Sequence, residues 1–181
     1  MCQTDEEHVA RCLNGEPDAF GWLVQRHQNA VLSYMVGRLG SRDLAEEVTQ
    51  EAFVRAYFTL GKLREGRSFL PWLIGIAGRV GQEQVRSRRR MPAAGDMLDV
   101  PAPSEAHTGS ESLMREVARL PAIYREAILL RYHAGLSCTE MSESLGIPTG
   151  SVTKRLSRAY ALLREALCSD DHIFANSEVK L

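Results

Sequence analysis

Residues 137–159 read Ser-Cys-Thr-Glu-Met-Ser-Glu-Ser-Leu-Gly-Ile-Pro-Thr-Gly-Ser-Val-Thr-Lys-Arg-Leu-Ser-Arg-Ala. Ser137 with Glu140 three residues on predicts a capping box, in which each side chain satisfies the other residue's orphan backbone N–H. Met141 and Leu145 then share one face of a short helix. Gly146 supplies the backbone freedom to leave that helix, and Pro148 blocks its continuation. Thr149 is expected to cap a second helix, in which Val152, Leu156, Ala159 and Leu163 recur at helical spacing. That stripe packs inward and turns Ser151, Thr153, Lys154, Arg155, Ser157 and Arg158 outward. The pair reads as a helix-turn-helix whose second helix offers donors to phosphates and base edges in a major groove. An ordinary helical hairpin shares the periodicity but not the combination of cap, turn and outward donors.

Working outward, almost nothing in the remaining chain alternates with a period of two, so the expected fold is all-α. Residues 4–14 predict a short helix. Asp18 opens a longer one, with Phe20, Leu23, Val24, His27, Val31, Tyr34, Met35 and Leu39 on one stripe. Gly40 ends it, and Ser41 caps a third that carries Leu44, Ala45, Val48, Ala52, Phe53 and Tyr57. A loop with Gly61, Gly66 and Ser68 follows, and then a helix from about Phe69 to Arg89. Residues 91–110 hold three prolines among small polar residues, which cannot build a packed element, and read as a flexible linker. Helical pattern resumes at Glu111 and breaks at Pro121. The expectation is two small helical domains, 1–90 and 111–168, joined by the linker 91–110 and followed by a polar, frayed tail at 169–181.

The 181 residues are 44% hydrophobic and 25% charged, which suits one ordinary domain or two small ones. A net charge of −1 gives no global pull toward nucleic acid, so distribution decides. Arg79, Arg86, Arg88, Arg89 and Arg90 face a single acid, Glu83, whereas residues 40–60 carry Asp43, Glu46, Glu47 and Glu51. One acidic helix and two basic ones imply different partners for different faces. The four cysteines form no CxxC pair. His8–Cys12 and Cys168–His172 have one-turn spacing but lack companion ligands, so neither a metal nor another cofactor is expected. Asp5, Glu6 and Glu7 replace the basic start of a signal peptide, and no stretch approaches the roughly 18 apolar residues of a membrane span, so a cytoplasmic protein without membrane insertion is expected. No His or Cys combines with a carboxylate as nucleophile and base, and neither an enzyme nor a small-molecule substrate is expected.

Several short stretches, taken in order, resemble the extracytoplasmic-function group of bacterial RNA polymerase sigma factors. They are Asp18-Ala19-Phe20, Ala45-Glu46-Glu47-Val48-Thr49-Gln50-Glu51-Ala52-Phe53, and Phe69-Leu70-Pro71-Trp72-Leu73-Ile74-Gly75-Ile76-Ala77 with the arginine run behind it. In the second half they are Leu120-Pro121, Arg125-Glu126-Ala127-Ile128-Leu129-Leu130-Arg131, Gly135-Leu136-Ser137 and the helix-turn-helix. The resemblance covers nearly all of residues 15–167. It implies that the first domain (region two) docks on polymerase and opens the minus-ten element. The second (region four) is implied to read the minus-thirty-five element. The implied partners are core polymerase, through the β′ clamp and β flap, together with promoter DNA and an anti-sigma factor.

Glu46, Glu47, Gln50 and Glu51 lie outward of Leu44, Val48 and Ala52, and an acidic strip of this kind suits a basic coiled coil. Charge alone reads it as a solvated face; the resemblance assigns it to the β′ clamp. Arg64, Arg67 and Ser68, in the loop before the fourth helix, correspond to the family's pocket for a flipped base, whose extrusion costs only a few kcal/mol. Arg79, Gln82, Arg86, Arg88, Arg89 and Arg90 are then implied to hold the opened strand. In the helix-turn-helix, Ser151, Thr153, Lys154, Arg155 and Arg158 carry DNA recognition. Trp72, spaced with Phe69, Leu73 and Ile76, belongs to the core rather than to a melting wedge. The chain departs from the family at Arg79, where asparagine is usual, at Ser142, where alanine is, and at Ser151, where threonine is. Gly75, Gly78 and Gly81 each cost about 1 kcal/mol relative to alanine and either weaken their helix or admit a close neighbour. Two other readings remain open: a stand-alone helix-turn-helix regulator, and a sigma-like interaction protein that does not initiate transcription.

Overall fold

A computed structural model describes residues 4–64, 68–90 and 109–175, with the side chains of 89, 109–112 and 169–175 left aside. The helices are α1 (Asp5–Leu13), α2 (Ala19–Leu39), α3 (Arg42–Thr59), α4 (Phe69–Arg90), α5 (Gly109–Arg119), α6 (Ala122–Tyr132), α7 (Cys138–Leu145) and α8 (Thr149–Ala175), with a 3₁₀ turn at Leu60–Lys62. No strand occurs among the described residues, so the fold is all-α, as the periodicity predicts. Of the expected linker, 91–108 lies outside the described residues, while Gly109 and Ser110 open α5. The expected tail is corrected in its first part: α8 continues to Ala175, because neither glycine nor proline interrupts residues 169–175. Residues 176–181 lie outside the described residues.

Helices α2, α3 and α4 form a three-helix core. Leu23, Val31, Tyr34 and Met35 of α2 meet Leu44, Val48, Ala52 and Ala56 of α3 and Leu73, Ile74 and Ala77 of α4, all essentially without solvent contact. Each such large aliphatic side chain contributes about 1.5–3 kcal/mol by leaving water. Phe20 ties the three helices at one end. Its ring stands edge-on to Phe53, Tyr57 and Phe69 at centroid distances of 6.4, 5.2 and 6.1 Å. Trp72 is half-buried beside Phe69 and packs against this core, not into solvent.

The first helix is held by chemistry that its periodicity does not announce. Thr4 and Glu7 form a capping box. His8 lies flat on Trp22 at 3.9 Å, and its Nδ1 is 2.9 Å from the Thr4 carbonyl. Asp5 reaches α2 through His27 Nε2 at 2.8 Å. Burial pulls the His27 pKa below its ordinary value, and the Asp5 carboxylate only partly opposes this. His8 is therefore engaged in packing, and its one-turn neighbour Cys12 sits half-buried against the same core.

The second half packs Val117 of α5, Ile128 and Leu130 of α6 and Met141 of α7 around Val152, Leu156, Ala159 and Leu163 of α8. The halves also touch each other. Helix α6 lies on α2, and α7 lies on α4, so the core runs on from one half to the other.

Candidate nucleic-acid interface

The helix-turn-helix forms through the local chemistry expected of it. Ser137 Oγ accepts from the Glu140 N–H at 3.3 Å, and Glu140 Oε2 accepts from the Ser137 N–H at 2.8 Å. Gly146 leaves α7 in the left-handed region at φ 66°. One expectation is corrected. Helix α8 begins earlier than a Thr149 cap requires, because the Pro148 carbonyl already accepts from Ser151 and Val152. Proline lacks a donor but keeps its carbonyl, so it can open a helix that it cannot continue.

Ser142 proves useful where alanine is usual. Its hydroxyl donates to the Ile147 carbonyl at 2.6 Å, and its own carbonyl accepts from Ile147 at 3.2 Å. Both bonds close the turn that sets the angle between α7 and α8. Ser142→Ala should lower stability by about 0.5–1.5 kcal/mol, the net worth of one such bond, measured as a shift in the urea midpoint. An unchanged midpoint would show the bond to be replaced by water.

On α8, Val152, Leu156, Ala159 and Leu163 are buried. Thr153, Lys154 and Arg158 are exposed and line a shallow hollow with Gly150, Ser157 and Ala161. The Thr153 hydroxyl is partly committed, donating to the Thr149 carbonyl at 3.1 Å. Ser151 and Arg155 are half-buried, not fully outward. Arg155 looks across to the first half of the molecule.

The arginine run of α4 divides. Arg79, Gln82, Arg86 and Arg90 fall on one side at helical spacing, and all are exposed. Arg88 faces the other way, and its Nη2 lies 3.2 Å from Glu47 on α3. The Arg89 side chain lies outside the described residues, as does Arg67. Arg64 and Ser68 are exposed on either side of the undescribed 65–67. Gly81 admits Leu39, Met35 and Val48, which lie 3.7–3.8 Å from where its Cβ would stand. The α4 glycines thus serve close approach within the molecule.

The acidic strip is exposed or half-buried over a buried floor of Leu44, Val48 and Ala52. It is already partly neutralised. Glu46 pairs with Arg42 at 2.9 Å, and Glu51 with Arg55 at 2.7 Å. Arg55 also reaches Glu83 at 2.7 Å, and its two carboxylates raise its pKa. Gln50 is exposed. Sequence reasoning missed the end of this face, where Val54 is 50% and Phe58 79% exposed. The available signal was that both fall outside the buried spacing of α3 while lying in line with Glu47 and Glu51.

A crevice of about 320 Å³ separates the halves, lined by Arg79 and Gln82 of α4, Arg38 of α2, Glu126 of α6, Ser144 of α7 and Arg155 of α8, among others. Arg38 Nη1 donates to Tyr34 Oη at 2.6 Å and pairs with Glu126 Oε1 at 2.8 Å. Tyr34 Oη donates to the same Glu126 oxygen at 3.2 Å. Burial pushes the Tyr34 phenol well above its ordinary pKa, so it remains a donor. Among the described residues no helix is long and apolar enough to cross a membrane.

Residues 23–91 match the family model for sigma-70 region 2, and residues 110–163 match that for sigma-70 region 4. The chain is 32% identical over 181 residues to the ECF RNA polymerase sigma-E factor of Escherichia coli, covering 91% of this chain and 92% of that one. It is 32% identical over 173 residues to a probable RNA polymerase sigma factor, RfaY, of Xanthomonas campestris. That match covers 89% of this chain but only 43% of the longer relative. Among solved structures, CnrH in complex with the cytosolic domain of CnrY superposes with a TM-score of 0.73 at 25% identity, over 93% of this chain and 99% of that one.

Proposed function

This chain belongs to the extracytoplasmic-function family of RNA polymerase sigma factors and directs transcription initiation, and we propose that it does so through two surfaces, a docking face on the first half and a DNA-binding surface drawn from both halves. The first is the outer face of α3, where Glu46, Glu47, Gln50 and Glu51 run into the apolar pair Val54 and Phe58. This face docks on the basic coiled coil of the β′ clamp. The second is composite: Arg79, Gln82, Arg86 and Arg90 on α4, with Arg64 and Ser68 beside it, take the opened minus-ten strand. The family resemblance adds Arg67 and Arg89 to that role, whereas Arg88, turned to Glu47 on the far side of α4, stands apart from it. Thr153, Lys154, Arg155 and Arg158 on α8, with Ser151, take the minus-thirty-five duplex.

The domain division that serves this is 1–90 for docking and melting, then a linker up to α5, then α5–α8 for duplex reading. Sigma factors are non-enzymatic, and the bond-forming chemistry belongs to polymerase. The protein works in the cytoplasm, where polymerase and chromosome meet, and an anti-sigma factor that covers these faces holds it inactive. Two tethered contacts raise overall affinity, because the second becomes intramolecular at an effective concentration near millimolar.

The observation that supports this most is the pairing of an acidic face in one half with a capped helix-turn-helix in the other. A stand-alone regulator needs no polymerase-docking face. The deciding experiment is run-off transcription with purified core polymerase and the DNA upstream of this chain's own gene. A discrete transcript that requires the protein is expected. Sequence-specific retention of that DNA without polymerase, or polymerase binding without a transcript, would overturn the reading.

A further inference from the structure

We propose that the Tyr34–Arg38–Glu126 cluster is a latch that closes the two halves on each other and withholds Arg155 from DNA until it opens. The proposal rests on the DNA-reading role given to Arg155 above, but the closure itself can be tested without DNA. Three groups from α2 and α6 share one short hydrogen-bonded ring. Tyr34 is 1% exposed, and the side chains of Arg38 and Glu126 are each only 21% exposed. Such a desolvated set is favourable only when complete, since losing one member leaves the others buried and unpaired.

Glycines flank the latch where the helices come closest. A Cβ on Gly37 would stand 2.5 Å from Leu129 Cδ2, on Gly78 3.1 Å from Arg38 Nη1, and on Gly75 3.6 Å from the Ser144 carbonyl oxygen. The seam is therefore shaped for contact between α2 and α6 and between α4 and α7.

What the closed state hides is selective. Arg155 and the α4 residues Arg79 and Gln82 look into the same 320 Å³ crevice, which holds about ten waters at roughly 30 Å³ each. A base pair presented in a groove about 12 Å wide does not fit. Lys154 and Arg158 stay exposed. The closed form thus keeps its phosphate contacts free while Arg155 is withheld, so it holds DNA without reading it. Opening adds the reading.

The test compares the full-length wild type with Gly37→Leu, which wedges the seam while favouring the helix it sits in, and with Glu126→Ala, which breaks the ring. Solution X-ray scattering reports the separation of the halves. Modification by phenylglyoxal, followed residue by residue by mass spectrometry, reports the exposure of Arg155 against Arg158. The wild type is expected to be compact, with Arg155 reacting more slowly than Arg158. In both variants the radius of gyration should rise and the two arginines should react at similar rates, with helix content retained. If one variant fails to fold, the other carries the test. Equal rates in the wild type, or a compact folded variant with Arg155 still slow, would overturn the latch. Run-off transcription by Arg155→Ala holoenzyme separates the two ideas: unchanged promoter choice there removes the reading role while leaving the closure standing.

Discussion

Glu47→Lys combined with Glu51→Lys should abolish co-purification with core polymerase while leaving the protein folded. The folded state loses two surface ion pairs, Glu47–Arg88 and Glu51–Arg55, whose side chains are 41–58% exposed. Exposed pairs contribute only about 0.2–1 kcal/mol each, and the new like-charge neighbours cost a similar amount. Against a basic coiled coil the same reversals act at a closed interface, where close charge pairs couple by about 1.5–7 kcal/mol. Two reversals then weaken docking by at least about 3 kcal/mol, or roughly a hundredfold. Circular dichroism and urea titration check the fold, and size exclusion with core polymerase checks docking. Adding Arg88→Glu to Glu47→Lys restores an internal pair while keeping residue 47 reversed, so renewed docking in that swap would mean that Glu47 acts through the fold. If the original double variant still binds core as tightly, the strip is a solvated face.

What the sequence made legible was local. The Ser137–Glu140 cap, the left-handed Gly146 and the Val152–Leu163 stripe each depend on residues within about three turns of one another, which is the range periodicity reports. The same holds for Ser41 capping α3 and Gly40 ending α2. What escaped it lies between distant segments. Tyr34 and Glu126 are 92 positions apart, and neither carries a local mark of the other. Gly75 and Gly78 were readable as helix-weakening or as close-approach sites, but their neighbours, Ser144 and Arg38, come from packing alone. Arg88 belongs to a basic run by composition, yet helical geometry sends it to Glu47 and away from Arg79. Spacing puts His27 on the stripe of α2 and His8 one turn from Cys12, but does not reveal that the two are buried parts of one α1–α2 contact. Arg155 shows the limit most sharply. Its position on α8 points it away from that half's own core, and only the first half of the molecule, across the crevice, reveals that outward there does not mean solvent.

Arg155→Ala should cost about 1–3 kcal/mol in holoenzyme binding to the best minus-thirty-five sequence and relax the preference at a single base pair. Arg155 stands one turn beyond Ser151, near the start of α8, where a recognition helix meets base edges. Its planar guanidinium can donate twice to one guanine from a fixed fork, a geometry that the flexible ammonium of lysine does not hold in advance. No ion pair among the described residues holds it in the closed form, so opening breaks none at that side chain. Lys154 differs in kind. It is exposed on the flank of the helix beside Arg158, where a compact charge meets phosphate. Lys154→Ala should weaken all sequences alike and lower the salt slope by about one unit, the share of one phosphate contact. Titrating holoenzyme against single-base promoter variants at several salt concentrations separates the two effects. A loss for Arg155→Ala that is uniform across base variants would make Arg155 a positioning contact like Lys154, and base selection would have to come from another side chain of α8.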